Sequence, residues 1–247
     1  QGTLFGRNAT GGLVHVITAK PTRDKEGYIE LTGGQFEQFR TEGVISGPLG
    51  ETLAGRLSLA YEDTDGYQKN RIGDDLNDVN NFTGRAQILF EPSNNLSVHI
   101  SGRWSTDDTN GQGYSIKRAI TDIGGIPGLP GDGLVKEANN LQFSTFCTNF
   151  FGFTPPAEST DCFGFVEPDN DDNTVAVNEI GFFKRDHYGI TGTVEWELDN
   201  EIRITSITDW QDFQKRYLED DDITPVDVWT FFQNVDSNQF SLEIQVH

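Results

Sequence analysis

The sequence predicts an all-β fold, an antiparallel up-and-down transmembrane β-barrel of which about eight strands are present. Three observations predict it. Stretches of roughly ten residues are apolar at every second position, the pattern of a strand with lipid on one side and a polar interior on the other. Their connections alternate between tight turns and long polar loops, and most of the net charge falls in the long loops.

Leu53, Gly55, Leu57, Leu59 and Tyr61 take one face of a strand, while Ala54, Arg56, Ser58 and Ala60 take the other. Leu96, Val98, Ile100, Gly102 and Trp104 alternate likewise with Ser97, His99, Ser101, Arg103 and Ser105. Tyr188, Ile190, Gly192, Val194, Trp196 and Leu198 do so against Thr191, Thr193, Glu195 and Glu197. A period of two marks strands, not helices. Reading the whole chain this way places strands at 28–33, 38–46, 52–62, 81–91, 96–106, 185–198, 201–216 and 237–247. Leu57, Leu59, Val98, Ile100, Ile190, Val194, Leu242 and Ile244 should share the outward face.

Every second link, beginning with GPLGE at 47–51, is short and rich in Gly, Pro, Asn or Asp, as hairpin turns require. The others, apart from the brief link at 34–37, lengthen into loops at 63–80, 107–184 and 217–236. In a spanning barrel the tight turns are periplasmic and the long loops external. A soluble β-sandwich also alternates its strands, but it rarely puts all long loops at one end.

At 247 residues, 23% charged and 35% hydrophobic, composition alone resembles a soluble acidic domain, and no run of 18 apolar residues suggests a membrane helix. A barrel needs no such run, because only alternate residues meet lipid. Residues 62–80, 107–184 and 217–236 contribute −4, −8 and −6, which is −18 of the total −21. Nucleic acid is a disfavoured partner, since phosphate binding wants clustered Lys and Arg. The sequence opens at Gln1 inside a motif and stops at His247 inside a strand, so it is expected to be a piece of a longer protein.

Residues 1–22, QGTLFGRNATGGLVHVITAKPT, break the two-residue alternation. A glycine-rich turn leads into the β-prone run at 13–18, which Lys20, Pro21 and Thr22 end. Residues 2–12 resemble, position by position, the C-terminal end of the plug domain of TonB-dependent outer-membrane receptors, with Val14 and His15 departing from its usual small or amide residues. SGPLG at 46–50 is similar to that family's first periplasmic turn, and FSLEIQV at 240–246 to its barrel strands. The resemblance implies a larger barrel of about 22 strands, closed by an N-terminal plug and sited in the outer membrane, that imports a scarce nutrient. It implies two parts, residues 1–22 as the end of the plug and 23–247 as the first part of the barrel. It implies partners as well: outer-membrane lipid, the TonB energy-transducing complex (whose contact segment is absent here), and most often a ferric siderophore. Acidic outer loops should repel anionic chelates, which keeps neutral chelates, cobalamin and an oligosaccharide open as cargo. A structural or adhesive barrel is the rival reading and a passive channel comes third, but neither needs a plug.

Other motifs carry little. Residues 6–11 have the G-x-x-x-x-G spacing, yet Gly12 and Leu13 stand where a phosphate loop needs Lys and Ser or Thr. Asp169, Asp171 and Asn173 begin a calcium loop that lacks its glycine and its bidentate glutamate, with Thr174 and Ile180 in those places. The four histidines lack metal-ligand spacing, and nothing marks a nucleophile, so neither metal, cofactor nor enzymatic activity is expected. Cys147 and Cys162, with fourteen residues between them in the longest loop, are expected to form a disulfide on an oxidising cell surface, two buried thiols being the alternative. Phe151 and Phe153 beside them, with Trp229 and Phe231 in the last loop, are candidate ligand-stacking residues or the loops' own packing. Arg7, Asn8, Glu42 and Arg56 are the candidate contacts between plug and barrel wall, within an inward row that also holds Arg40, Arg85, Arg103, Glu195, Arg203 and Glu243.

Overall fold

The computed structural model describes residues 17–114, 119–121, 135–137, 140–152, 154–159, 162–166, 171, 173–198, 202–222, 224–227 and 229–247. The elements in chain order are β1 (Glu26–Gly33), β2 (Phe39–Pro48), β3 (Leu53–Thr64), β4 (Lys69–Asn70), β5 (Val79–Ser93), β6 (Leu96–Asn110), β7 (Ala119–Thr121), β8 (Val135–Glu137), α1 (Asn140–Phe151), β9 (Thr174–Val175), β10 (Phe182–Glu197), β11 (Arg203–Asp220) and β12 (Thr230–Val246). Eight of the strands form one antiparallel sheet in the order β1-β2-β3-β5-β6-β10-β11-β12, each paired with its predecessor in the meander.

Ladder register converts the sequence alternation into two chemically distinct faces. Ile45 stands opposite Leu57, Leu57 opposite Ala86, Ile88 opposite Ile100, Val98 opposite Val194, and Ser206 opposite Ile244. This face is apolar and bare, with Ile29 79%, Ile45 66% and Leu242 58% exposed. A water-soluble sheet would cover such a surface; a spanning one gives it to lipid. Aromatic residues edge the band. Tyr61 opposes Phe82, Trp104 opposes Tyr188 and Trp210 opposes Phe240 at the level nearer the long loops, while Phe90 and Trp196 mark the level nearer the tight turns. Eight residues separate Tyr188 from Trp196 along β10, about 27 Å of strand and roughly 20 Å of membrane normal at ordinary barrel tilt. No described helix is long and apolar enough to cross a membrane.

The turns are built as hairpins. In β2–β3, the amides of Leu49 and Gly50 both donate to Leu53 O at 2.8 and 3.1 Å. The β1–β2 link is a turn in which Phe36 and Glu37 adopt φ of 58° and 53°, and Gln38 N donates to Gln35 O at 3.2 Å. Left-handed backbone is unfavourable for a phenylalanine. Here Asp65 N donates to Phe36 O at 2.8 Å and Tyr67 packs edge-on against the ring at 6.3 Å, so the next loop holds the turn.

Six strands run further toward the long loops than alternation predicts. β3 reaches Thr64, β5 starts at Val79, β6 reaches Asn110, β10 starts at Phe182, β11 reaches Asp220 and β12 starts at Thr230. The loops are correspondingly shorter than 63–80, 107–184 and 217–236. Beyond the aromatic level both faces meet water, so the ladder continues while the apolar period stops. Lys184–Asp108 at 2.9 Å and Arg185–Asp107 at 2.7 Å are consecutive ion pairs on opposite faces of this extension.

Among the described residues the dry cluster lies outside the sheet. Leu76, Val175 and Val177 are buried together, with Ile180 packed on them. Around this cluster β4 pairs in parallel with β9, and Asn70 clamps Val177, donating to its O at 3.0 Å and accepting from its N at 3.2 Å. Asn178 N donates to Thr224 O at 3.4 Å, so three outer loops interlock. Cys147 and Cys162 are joined by a disulfide with S–S 2.01 Å, tying α1 to the segment that follows it. The β-prone run at 13–18 falls mostly outside the described residues; residues 17–20 join no ladder.

Candidate functional site

The polar face of the sheet is concave. Tyr28, Glu42, Arg56, Arg85, Arg103 and His187 line one cavity of about 560 Å³, joined by Thr18 and Ala19. Strand parity puts these side chains on one side, and pairing register stacks them in rows across the strands. One row runs Tyr28, Val44, Ser58, Arg85, Arg103, Gly189, Gln211, Gln239.

Charge on this wall is arranged in pairs, most of them across strands. Glu42 accepts from Arg40 Nη2 at 2.9 Å and from Tyr28 OH at 3.0 Å, and Arg40 also reaches Glu62 at 3.3 Å. Arg56 donates to Glu26 at 2.8 Å. Arg103 grips Asp209 through two nitrogens at 3.0 and 3.2 Å, donates to Thr191 Oγ1 at 2.7 Å, and lies 3.4 Å from Gln211 Oε1. These bonds keep the charges of a half-wet wall in fixed places, and the bidentate guanidinium–carboxylate pair is the strongest kind. Gln87 donates to Ala19 O at 3.1 Å and Lys20 lies 3.7 Å from Glu195, so residues 17–20 rest against this face.

Of the candidate contacts, Glu42 and Arg56 line the same cavity but bond to other partners, Glu42 to Arg40 and Tyr28, Arg56 to Glu26. Arg7 and Asn8 lie outside the described residues, as does Phe153. The described aromatic candidates stand in separate places. Phe151 packs edge-on against Phe146 at 6.3 Å and Phe163 at 5.4 Å, beside the disulfide. Phe231 packs against Tyr217 at 6.2 Å, and Tyr217 against Phe183 at 6.2 Å. Trp229 is 66% exposed.

Sequence reasoning missed the roles of Asp209, Thr191 and Tyr28, because alternation assigns a face but not a partner on another strand. It also missed the aromatic and cationic set at the outer mouth, where Lys215 Nζ sits 5.1 Å from the Tyr217 ring and 5.6 Å from that of Phe183. Burial and the hydrogen bond to Glu219 push the Tyr217 phenol well above its ordinary value, so it stays protonated. No grouping of three or more His, Cys, Asp or Glu suited to a metal occurs among the described residues.

No protein-family model matches the chain. The ferripyoverdine receptor of Pseudomonas aeruginosa is 28% identical over 120 residues, covering 46% of this chain and 14% of that protein. The pesticin receptor of Yersinia enterocolitica is 30% identical over 95 residues, 37% of this chain and 14% of that protein. The chain thus spans about a seventh of these relatives, both of them receptors and neither an enzyme by name. Among solved structures, the ferric yersiniabactin uptake receptor FyuA from Yersinia pestis superposes with a TM-score of 0.68 at 17% identity, over all of this chain and 31% of that one. With this barrel sheet, its bare apolar band and these relatives, the chain is similar to the TonB-dependent outer-membrane receptors and has the fold of part of their barrel.

Proposed function

We propose that the protein imports a ferric siderophore across the outer membrane, with energy supplied by the TonB complex. The observation that carries this reading is the concave wall of paired charges behind a lipid-facing band, a polar path through a membrane, in a chain related to receptors for ferripyoverdine and ferric yersiniabactin. Residues 1–22 act as the end of the plug and 23–247 as barrel wall and loops, with Arg7 and Asn8 docking near Glu42 or Arg56. Outer-loop acidity favours a neutral chelate over an anionic one, with cobalamin or an oligosaccharide as the rival cargo.

The test is uptake of radiolabelled iron chelates by cells carrying the full-length receptor, with and without TonB. Uptake that requires both and is induced by iron starvation supports the reading; uptake of labelled cobalamin in its place supports the rival. Arg7→Ala should raise leak of a bulky antibiotic while sparing ligand binding at the loops. Unchanged leak with abolished binding would move Arg7 into the ligand site.

A further inference from the structure

The cations in the central rows of the wall have carboxylate partners with one exception. Arg40 holds Glu42 and Glu62, Arg56 holds Glu26, and Arg103 holds Asp209. Arg85 makes no ion pair or hydrogen bond among the described residues. Its ladder partners are Ser58 on β3 and Arg103 on β6. The charge that acts on it at close range is that of Arg103. Two like charges directly opposite each other on neighbouring strands are unfavourable. Arg103 escapes by turning away across β10 toward Asp209, which leaves Arg85 alone.

No described carboxylate lies within ion-pair distance of it, and Glu30, on the same face, stands three strands away on β1. Glu62, Glu42, Glu26 and Asp209 are each engaged by another arginine. Residues 1–22 contain no Asp or Glu, so that segment brings none. Arg85 faces the 560 Å³ cavity, partly withdrawn from water, with its planar fork of donors uncommitted.

We propose that Arg85 is an anion seat in the lumen wall that receives a carboxylate in the working receptor. Guanidinium geometry selects a planar oxyanion able to take two parallel hydrogen bonds. The carboxylate comes either from a solute passing through the lumen or from a plug side chain outside residues 1–22. The seat deepens the import reading only in the first case, and it stands without it in the second.

Ser58 faces Arg85 in register, so a cysteine there reports the potential at the seat. In the full-length receptor, Ser58→Cys is reacted with anionic and cationic methanethiosulfonate reagents, with Arg85 intact and as Arg85→Gln. If solute anions use the seat, Arg85→Gln lowers the anionic-to-cationic rate ratio about three- to tenfold. It also raises the KM for a ferric chelate of zero net charge that bears a free carboxylate, and leak of vancomycin stays at the wild-type level. If a plug carboxylate fills the seat, the rate ratio is unmoved and vancomycin leak rises, with Arg85→Lys partly restoring closure. Unchanged ratio together with unchanged leak overturns the proposal, as does a defect in surface abundance shared by Arg85→Gln and Arg85→Lys, which would make the residue a folding requirement. Wild-type cells that take up no ferric chelate would refute the import reading, while the reagent ratio and the leak would still decide the seat.

Discussion

Arg103 reaches Asp209 by lying across Gly189. A Cβ on that glycine would stand 2.6 Å from Arg103 Cζ, so the arginine crosses β10 because that strand presents no side chain there. The next residue does the same on the opposite face, where the Trp104 ring covers Gly84 and would meet a Cβ at 2.3 Å. Adjacent residues of β6 thus use glycines on both neighbouring strands, one to carry charge across the wall and one to seat an aromatic at the lipid level.

Gly189→Val should therefore displace Arg103 and strand Asp209. Losing hydrogen bonds between charged groups on a half-wet wall costs about 1.5–3 kcal/mol. The full-length receptor in detergent should melt earlier, and adding Arg103→Gln should cost little more, because the interaction is already gone. A Gly189→Val protein that melts with wild type would show that Arg103 has another route to Asp209.

The lipid-facing level should be readable from tryptophan depth. Trp104 and Trp210 lie on the apolar face, whereas Trp229 sits in an outer loop. Difference spectra of single Trp→Phe variants in bilayers should assign brominated-lipid quenching to Trp104 and Trp210, and iodide quenching to Trp229. Iodide access to Trp104 matching that to Trp229 would remove this face from the bilayer.

Asn70→Ala should unlock the outer loops without touching the sheet. It removes both partners of the Val177 backbone, leaving a buried donor and acceptor unmet at about 2–6 kcal/mol in total. Amide exchange at Val177 should accelerate accordingly while exchange in β10 and β11 is unchanged. Acceleration spread evenly through the sheet would mean the loops and sheet unfold as one unit.

Acid should loosen the same region. The bond from Lys69 holds the Asp75 carboxyl below its ordinary value, with burial opposing and the Asn70 amide adding to the effect. A carboxylate depressed in the fold contributes fully above its unfolded value near ~3.9, and the contribution is lost as pH falls through the folded value. Asp78, raised chiefly by burial, works in the opposite direction. Exchange at Asn70, corrected for intrinsic rate, should thus rise in the wild type below about pH 4, and Asp75→Asn should abolish that rise. Persistence of the rise in Asp75→Asn would assign it to another group.

Breaking the Cys147–Cys162 bond should act on the loop between β6 and β10 alone. Closing a loop of this length restricts the unfolded segment by about 3 kcal/mol. Double Ser substitution should raise proteolysis between β6 and β10 and leave barrel heat-resistance as it was. A barrel that loses heat-resistance with the disulfide would show that this loop supports the wall.

The eight strands, their meander and their apolar face could be read from the chain because a two-residue period is a local property. A strand between lipid and a polar lumen must carry it residue by residue, and Leu57, Ile100 and Ile190 needed no partner to be placed. Strand ends at the long loops were not readable, since above the aromatic level nothing enforces alternation and ladder bonds alone extend β11 to Asp220. The wall site was half legible. Parity put Glu42, Arg56, Arg85 and Arg103 on one side, but pairing of Arg103 with Asp209, 106 residues away, depends on register across three strands and on an empty position at Gly189. The interlocked loops were decided wholly by tertiary structure, because Asn70 and Val177 carry no period and meet only when the sheet has brought their loops to one end.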